Sequence, residues 1–415
     1  MHDKLLSRPY ICGIGGIGMS GVAHLCIDMR IRVAGSDLRR SVLTEDLERR
    51  GAIISYEPQP QRVQNASCII APSSFPATHP ELEAARDSGV ERLSRTRALA
   101  RICRAAESAP NLCFGTTARA KLTWLVSSEY GFGWCAGAVV ANSRVSRHAV
   151  LSRRMMLDID EREFLADPEA FSDFSNMDIL VSDWQDGFGY YNDDIRPERF
   201  VKTALSVQNG GFLVMPEKST SPERIEFSLW QENHILERFA FELDFARGLL
   251  KSPKAFGFDD VPLYGSRFDA SAVAAAQTWL YARKKPGLTH DIPFVGWFSQ
   301  IANRQYHEIR MHPVNVRNAV DSLKSIAAPN PIHVAIKPFS STLKRYKPEY
   351  WRQALANADH IYIITPPYEG CCGQDCLDFA KELQCPSVEV MGLNEVHRRV
   401  LDSEYWLWIG ADDLV

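Results

Sequence analysis

The chain has 415 residues, of which 45% are hydrophobic and 24% charged, and its formal net charge is −4. This length and composition predict an ordinary globular protein of two or three domains. The small negative charge excludes a bulk electrostatic attraction to nucleic acid or to an anionic membrane. The sequence contains no apolar run of the roughly 18 residues needed to span a bilayer and no apolar core of a signal peptide. We therefore expect a cytoplasmic protein with neither a nucleic acid nor a membrane as its partner.

The ten cysteines are scattered along the chain, which is typical of reduced thiols in the cytoplasm. Their one cluster comprises Cys371, Cys372 and Cys376. It lacks a second ligand pair at the spacing of a zinc site. The pattern therefore does not favour a metal or redox site there.

The segment from Tyr10 to Asp37 has the pattern of a strand, a glycine turn, a helix and a second strand. The apolar run Tyr10–Ile14 predicts the first strand. A helical pattern follows over Ser20–Arg30, and a second apolar run over Ile31–Ala34. This order is typical of the first βαβ unit of a nucleotide-binding domain.

Gly13, Gly15 and Gly18 have the GxGxxG spacing within that unit, and Asp37 lies 19 residues after Gly18. Glycines let the backbone approach a phosphate closely, and free amides at the start of a helix attract an anion. An acid at this distance often meets a ribose hydroxyl. The motif taken alone indicates a dinucleotide, and the alternative is a tight βα turn without a ligand.

Alternating strands and helices continue to about residue 106 and predict a doubly wound parallel sheet. Ser73 and Ser74 follow the strand Cys68–Ala71, at the end where open α/β sheets bind ligands. The remaining predicted elements here are the strand Ala52–Tyr56 and the helices Ser41–Arg50, His79–Ser88 and Thr96–Ala106.

Two segments resemble sequences of the Mur ligase family. They are the motif GIGGIGMSG followed by GSD, and the stretch that begins IIAPSSFPATHPELEAARDSG. The resemblance implies an α/β protein of three domains, with a Rossmann-like first domain, a P-loop-type central domain and a Rossmann-like third domain. It places them at residues 1–108, 109–290 and 291–415. It also implies that the first domain holds a UDP-sugar, for which the candidate residues are Gly13, Gly15, Gly16, Ile17, Gly18, Asp37, Ser73 and Ser74.

The segment GTTARAKLT, after the predicted strand Asn111–Phe114, resembles the P-loop GTxGKTT of that family. Gly115, Thr116 and Thr117 preserve the frame of this loop. Ala118 replaces its second glycine, Arg119 its phosphate-binding lysine, and Ala120 the residue whose hydroxyl holds Mg²⁺. Lys121 is two positions beyond the place of the lysine. The resemblance therefore indicates a degenerate ATP loop.

Other landmarks of the family are also altered. Asp158 stands where the family has a glutamate that binds Mg²⁺, and a solvated acidic strand end is an equal alternative. Gly187 replaces a histidine that helps to bind a second metal. His312 matches a family histidine and is a candidate catalytic residue, or else a helix cap or a core residue. Residues 218–268 predict no clear element, whereas strands and helices alternate again from about Ile292.

Three functions remain open at this stage. The first is a Mur-ligase-like protein that binds a UDP-sugar or related nucleotide but has lost standard ligation, and acts as the partner of an active ligase or another pathway enzyme. The second is a divergent ATP- and Mg²⁺-dependent ligase that forms amide bonds with Arg119, Lys121 and Asp158. The third, and least favoured, is an oxidoreductase that binds NAD at the glycine loop. Mg²⁺-dependent ATP hydrolysis and nicotinamide binding would separate the three.

Overall fold

The computed structural model describes residues 3–73, 75–115, 119–137, 148–183, 197–217, 224–244, 247–263, 267–291, 299–308, 313–338, 343, 346–365, 373–385, 387–401 and 403–410. These residues form three sheets within two compact units. The first unit comprises Met1–Gln185 and Arg196–Pro293, and the second is formed mainly by Phe294–Val415.

The first sheet has five parallel strands in the order β3-β2-β1-β4-β5. Its strands are β1 (Pro9–Cys12), β2 (Ala34–Ser36), β3 (Ile53–Ser55), β4 (Cys68–Ile70) and β5 (Arg92–Leu93), and its helices are α1 (Ile17–Asp28), α2 (Val42–Arg49), α3 (Pro60–Val63), α4 (Pro80–Asp87) and α5 (Arg95–Ala105). All four residues of β1 are buried, as expected for a central strand covered on both faces. The predicted doubly wound sheet is thus confirmed.

Two predicted boundaries in this sheet are wrong. Helix α1 begins at Ile17 rather than Ser20, because Gly16 is its extended N-cap residue and the Ser20 amide already donates to the Gly16 carbonyl. The second strand is Ala34–Ser36 rather than Ile31–Ala34. A Cβ at Gly35 would lie 2.3 Å from the Ile11 carbonyl oxygen. This glycine therefore lets β2 pack against β1.

The second sheet has ten strands in the order β15-β14-β13-β12-β11-β10-β6-β9-β7-β8. The strands β11, β10, β6, β9 and β7 are parallel, and antiparallel strands extend both edges. The elements are β6 (Ala109–Phe114), α6 (Arg119–Tyr130), β7 (Gly133–Cys135), β8 (Ala149–Val150), β9 (Arg154–Asp158), α7 (Glu161–Ala166), β10 (Ile179–Val181), α8 (Pro197–Val207), β11 (Leu213–Pro216), β12 (Arg224–Gln231), β13 (His234–Asp244), β14 (Leu249–Lys251), β15 (Val261–Pro262) and α9 (Arg267–Ala282).

The second unit contains a six-stranded sheet in the order β16-β17-β21-β18-β19-β20, in which only β16 is antiparallel. Its elements are β16 (Ser299–Ala302), β17 (Gln305–Glu308), α10 (Pro313–Ala327), β18 (Ile332–Ile336), α11 (Pro348–Leu355), β19 (His360–Thr365), α12 (Gly373–Leu383), β20 (Val388–Gly392), α13 (Leu393–Arg399) and β21 (Tyr405–Ile409). The alternation predicted for this part of the chain is confirmed.

Together the three sheets confirm the predicted α/β class and the predicted three-part architecture. The exact domain limits at residues 108 and 290 stay predictions, because the first and second sheets share one compact unit. Within the part of the chain that the structure describes, every helix is too short or too polar to cross a membrane.

Candidate functional site

The glycine loop joins β1 to α1 in a tight turn. Gly13 has a φ of +62°, in the left-handed region that favours glycine. The Gly16 amide donates to the Gly13 carbonyl at 2.9 Å, and the Ile14 amide donates to the Ser36 carbonyl at 3.0 Å. The first three helical amides, those of Ile17, Gly18 and Met19, have no acceptor within the helix. The loop therefore presents backbone donors and the positive end of a helix dipole at one point.

Asp37 holds this loop in place. Its Oδ2 accepts the Gly15 amide at 2.8 Å, and its Oδ1 accepts the Leu38 amide at 2.8 Å. A Cβ at Gly15 would lie 2.9 Å from Asp37 Oδ2 and 2.6 Å from Thr44 Cγ2. The predicted contact of Asp37 with a ribose stays a prediction, and the structure adds that Asp37 supports the glycine turn. Ser73 is exposed after β4, and Ser74 lies outside the described residues.

A buried carboxylate at the start of α4, Glu81, accepts four hydrogen bonds beneath the first sheet. The donors are the Tyr10 hydroxyl at 2.6 Å, the Ser36 hydroxyl at 2.7 Å, the Gln59 amide at 2.8 Å and the Cys12 thiol at 3.1 Å. Burial raises the pKa of Glu81, but the hydrogen bonds outweigh it and hold the pKa below its usual value. No sequence pattern indicated this cluster, because its members are separated along the chain.

A second loop begins at Gly115, directly after β6. The Gly115 amide donates to Glu161 Oε1 at 2.9 Å. Gly115 has a φ of +142°, and a Cβ there would lie 2.0 Å from the Ser182 hydroxyl. Thr116, Thr117 and Ala118 lie outside the described residues. The loop thus starts against a carboxylate of α7 and a hydroxyl that follows β10.

Arg119, the first residue of α6, lies between two buried carboxylates. Its Nε is 3.1 Å from Asp158 Oδ1, and its Nη1 is 3.4 Å from Glu161 Oε2. The other oxygen of Asp158 accepts the Gly137 amide at 2.8 Å. Arg119, Asp158 and Glu161 therefore form a compact cluster, the carboxylate–guanidinium cluster, at the carboxyl ends of β6 and β9.

Burial raises the pKa of Glu161 to about 7, although the nearby Arg119 guanidinium lowers it. Desolvation disfavours the ionised carboxylate more than a single, partly exposed guanidinium stabilises it. Glu161 was not predicted as a site residue. Its position in the segment DIDEREF gave no indication that it would approach the Gly115 amide.

Arg95, at the start of α5, joins the glycine loop to this cluster. Its Nε donates to the Gly18 carbonyl at 3.1 Å, and its Nη1 donates to the Asp158 carbonyl at 2.7 Å. Nη1 also lies 3.8 Å from Asp158 Oδ1. One buried guanidinium thus contacts both the glycine loop and the carboxylate–guanidinium cluster, which belong to different sheets of the same unit. Nothing in the local sequence distinguished Arg95 from the other arginines of α5.

The structure does not bring Lys121 into the cluster. Two positions along an α-helix correspond to about 200° of rotation, so Arg119 and Lys121 lie on opposite faces of α6. Lys121 Nζ lies 2.7 Å from Asp291 Oδ2, and both side chains are buried. Ala120 is also buried. The candidate His312 lies outside the described residues, as do Gly187, Cys371 and Cys372, whereas Cys376 is buried in α12.

Comparisons with known proteins agree with the first sheet and with the overall architecture. Residues 9–107 match the model of the Mur ligase family, catalytic domain. The UDP-N-acetylmuramate–L-alanine ligase of Desulfosudis oleivorans is 34% identical over 136 residues, which are 33% of this chain and 29% of that enzyme. The enzyme of the same name from Roseiflexus sp. is 43% identical over 86 residues, which are 21% of this chain and 18% of the relative. These matches therefore span less than a third of the length of the relatives.

Solved structures extend the likeness of the fold to almost the whole chain. The UDP-N-acetylmuramate–alanine ligase MurC of Thermotoga maritima has a TM-score of 0.64 at 16% identity, covering 98% of this chain and 96% of that one. A murein peptide ligase of Psychrobacter arcticus has a TM-score of 0.61 at 12% identity, covering 97% and 95%. Residues 9–107 therefore match the Mur ligase family, and the fold of almost the whole chain is similar to that of these two ligases.

Proposed function

We propose that this protein binds a UDP-sugar or a related nucleotide at its glycine loop and has lost standard ATP-dependent ligation. Such a protein acts as the partner of an active ligase or of another enzyme of the same pathway. The relatives that match the first sheet are named for a UDP-sugar substrate. The free amides at the start of α1 and the turn at Gly13 offer the donors that a diphosphate requires.

The observation that carries the loss of ligation is the position of Arg119. A guanidinium cannot be deprotonated in a protein, so a fixed positive charge lies against both Asp158 and Glu161. Mg²⁺ prefers free carboxylate oxygens in a near-octahedral set. Here Asp158 Oδ2 is taken by the Gly137 amide and Oδ1 faces Arg119, and Ala120 has no hydroxyl. These residues therefore do not fit a Mg²⁺ ion.

The alternative of a divergent ligase has less support. It required Arg119, Lys121 and Asp158 to act together with ATP and Mg²⁺. Lys121 instead pairs with Asp291 on the opposite face of α6. A phosphate bound at the second loop would therefore compete with Asp158 and Glu161 for the guanidinium of Arg119.

Calorimetric titration with UDP-N-acetylmuramate and, separately, with Mg-ATP tests the proposal. We expect the sugar nucleotide to bind and Mg-ATP to give no heat. Tight binding of Mg-ATP, or its Mg²⁺-dependent hydrolysis, would contradict the loss of ligation and favour the divergent ligase. Absence of UDP-N-acetylmuramate binding would contradict the first half of the proposal.

Substitution of Gly16 locates the bound phosphate. Gly16 has ordinary extended angles at the N-cap of α1 and no side-chain cap. A Cβ there would lie 3.2 Å from the Gly13 carbonyl oxygen, so Asp and Asn require the same small shift of the loop, and both can cap the helix. Gly16→Asp places a negative charge where the phosphate would lie, and we expect at least a tenfold loss of affinity, or about 1.4 kcal/mol. Gly16→Asn is the neutral control of the same shape. Equal affinities of the two variants would show that the anion does not bind at this loop.

A further inference from the structure

A cavity of about 400 Å³ lies at the amino-terminal edge of the second sheet. It is lined by the starts of β6 and β9, by residues that precede β10 and by the end of α9 and the residues after it. Its volume falls within the range of small-molecule sites. The cavity belongs to the first unit alone.

This cavity is separate from the carboxylate–guanidinium cluster. Parallel strands run in one direction, so the residues that begin β6 and β9 gather at one edge and those that follow them at the other. The six residues of Ala109–Phe114 span roughly 17–20 Å at about 3.3 Å per residue. A ligand in the cavity would therefore lie well outside contact with Arg119 and Asp158.

Asp178 is the single carboxylate among the residues that line the cavity, and both of its oxygens accept hydrogen bonds from the protein. Its Oδ1 accepts the Phe212 amide at 2.8 Å, and its Oδ2 accepts the indole N–H of Trp279 and Nε of Arg283, both at 2.7 Å. The charge of Arg283 therefore offsets that of Asp178. This leaves no free anion on the described wall of the cavity.

Two further cations line the cavity, and both are exposed. The guanidinium of Arg154 lies 5.8 Å from the centre of the Phe132 ring, and Lys285 Nζ lies 5.8 Å from the centre of the Tyr130 ring. Neither is paired with a carboxylate of the described residues. A guanidinium stacked on a ring still directs its N–H donors outward in its own plane.

The end of α9 lies beside the cavity and carries a partial negative charge of about 0.5. The two unpaired cations carry two full positive charges, so the mouth of the cavity remains positive. Its walls include the rings of Phe132 and Trp279, which can pack against a flat ligand. The cavity thus combines positive charge with aromatic surface.

We propose that this cavity binds a small organic anion, a carboxylate or a phosphate, that carries a flat ring. Arg154 and Lys285 hold the anionic group, and the ring lies along the apolar wall that contains Phe132 and Trp279. This site is independent of the function proposed above, since no residue is shared with the glycine loop or with the carboxylate–guanidinium cluster.

Titration of the full chain with phenyl phosphate and with benzoate, followed by calorimetry, tests the proposal. Inorganic phosphate lacks the ring and phenol lacks the charge, so each should bind more weakly than phenyl phosphate. The double variant Arg154→Gln/Lys285→Gln should weaken binding of the better aromatic anion at least tenfold. Added salt should weaken binding to the wild-type protein, because the cations are exposed.

Two matched variants make the result specific. Lys284→Gln removes the neighbouring exposed lysine, which does not line the cavity, and it should leave the affinity unchanged. Arg119→Gln, at the other edge of the sheet, should also leave it unchanged. Three results would overturn the proposal. They are failure of both aromatic anions to bind at millimolar concentration, an equal loss of affinity in Lys284→Gln, and a loss of affinity only in Arg119→Gln. Thermal unfolding of each variant confirms that it is folded.

Discussion

At the scale of the residue, one arginine sets the chemistry of the second loop. A lysine there would present a compact ammonium that a phosphate can approach, whereas the planar fork of Arg119 contacts two carboxylates at once. The guanidinium thus compensates the charge of Asp158, and that of Glu161 when it is ionised, within the protein itself. A buried carboxylate held in this way is sensitive to pH, because its protonation state depends on a balance between burial and one guanidinium.

The raised pKa of Glu161 predicts a pH-dependent stability. The pKa is about 7 in the folded protein against 4.5 for an unperturbed glutamate, so the folded state binds the proton more tightly between those values. The contribution of Glu161 to the unfolding free energy is thus largest below about pH 4.5 and falls as the pH rises through 7. The loss is on the order of 3 kcal/mol.

Urea unfolding at pH 5 and pH 8 measures this effect. Glu161→Gln keeps an oxygen that can accept the Gly115 amide but cannot ionise. We expect the wild-type protein to lose more stability than Glu161→Gln between the two pH values. Identical pH dependence of the two proteins would show that Glu161 does not titrate in this range.

At the scale of the element, the hairpin of β12 and β13 is the largest feature that the sequence did not predict. Phe227 and Phe241 point from its two strands into the core, where their rings contact edge to face at 6.3 Å. The turn is formed by Glu232 and Asn233, whose φ angles are +48° and +69°. Two successive left-handed residues are typical of a type I′ turn, which usually has Asn-Gly rather than Glu-Asn.

Changing this turn should therefore stabilise the protein. Asn233→Gly removes the steric cost of a side chain in the left-handed region, and we expect a gain of about 1 kcal/mol in unfolding free energy. The midpoint of urea denaturation measures it. Asn233→Ala is the control and should lower stability, since alanine adopts positive φ poorly. A loss of stability in Asn233→Gly would mean that the Asn side chain itself stabilises the turn.

At the scale of the whole molecule, helix α5 connects the first two sheets. Arg95 contacts Gly18 and Asp158, and the Thr96 amide and hydroxyl both donate to Glu163, at 3.1 and 2.9 Å. These side chains are buried. The two sheets should therefore open together rather than as independent domains, in agreement with their membership of one compact unit.

Hydrogen exchange followed by mass spectrometry tests this coupling. Arg95→Met should lower the protection of both α1 and β9 by about 3 kcal/mol, because it leaves buried acceptors without their donor. Arg101 lies on the same helix but pairs with Asp3, which precedes β1, and with Glu91, which precedes β5. Arg101→Met should therefore leave β9 unchanged. Loss of protection confined to α1 in Arg95→Met would contradict coupled opening.

The sequence by itself determined the parts of this protein that depend on short-range patterns. Three such patterns predicted the α/β class and the family. They are the glycine spacing, the alternation of apolar runs with segments of helical periodicity, and the motif that resembles an altered P-loop. The same patterns missed the hairpin of β12 and β13. Its turn is formed by Glu232 and Asn233, which are not the Asn-Gly pair that usually indicates such a turn.

The tertiary structure decided which distant residues meet. It placed Arg119 rather than Lys121 against Asp158, and it brought Glu161 to Gly115. It also set Arg95 between the glycine loop and Asp158. It also created the cavity at the amino-terminal edge of the second sheet. The physical reason is that burial and nearby partners determine where a charged side chain lies and what it pairs with. Packing brings these partners within a few ångströms from distant parts of the chain, so the spacing of neighbouring residues does not reveal them.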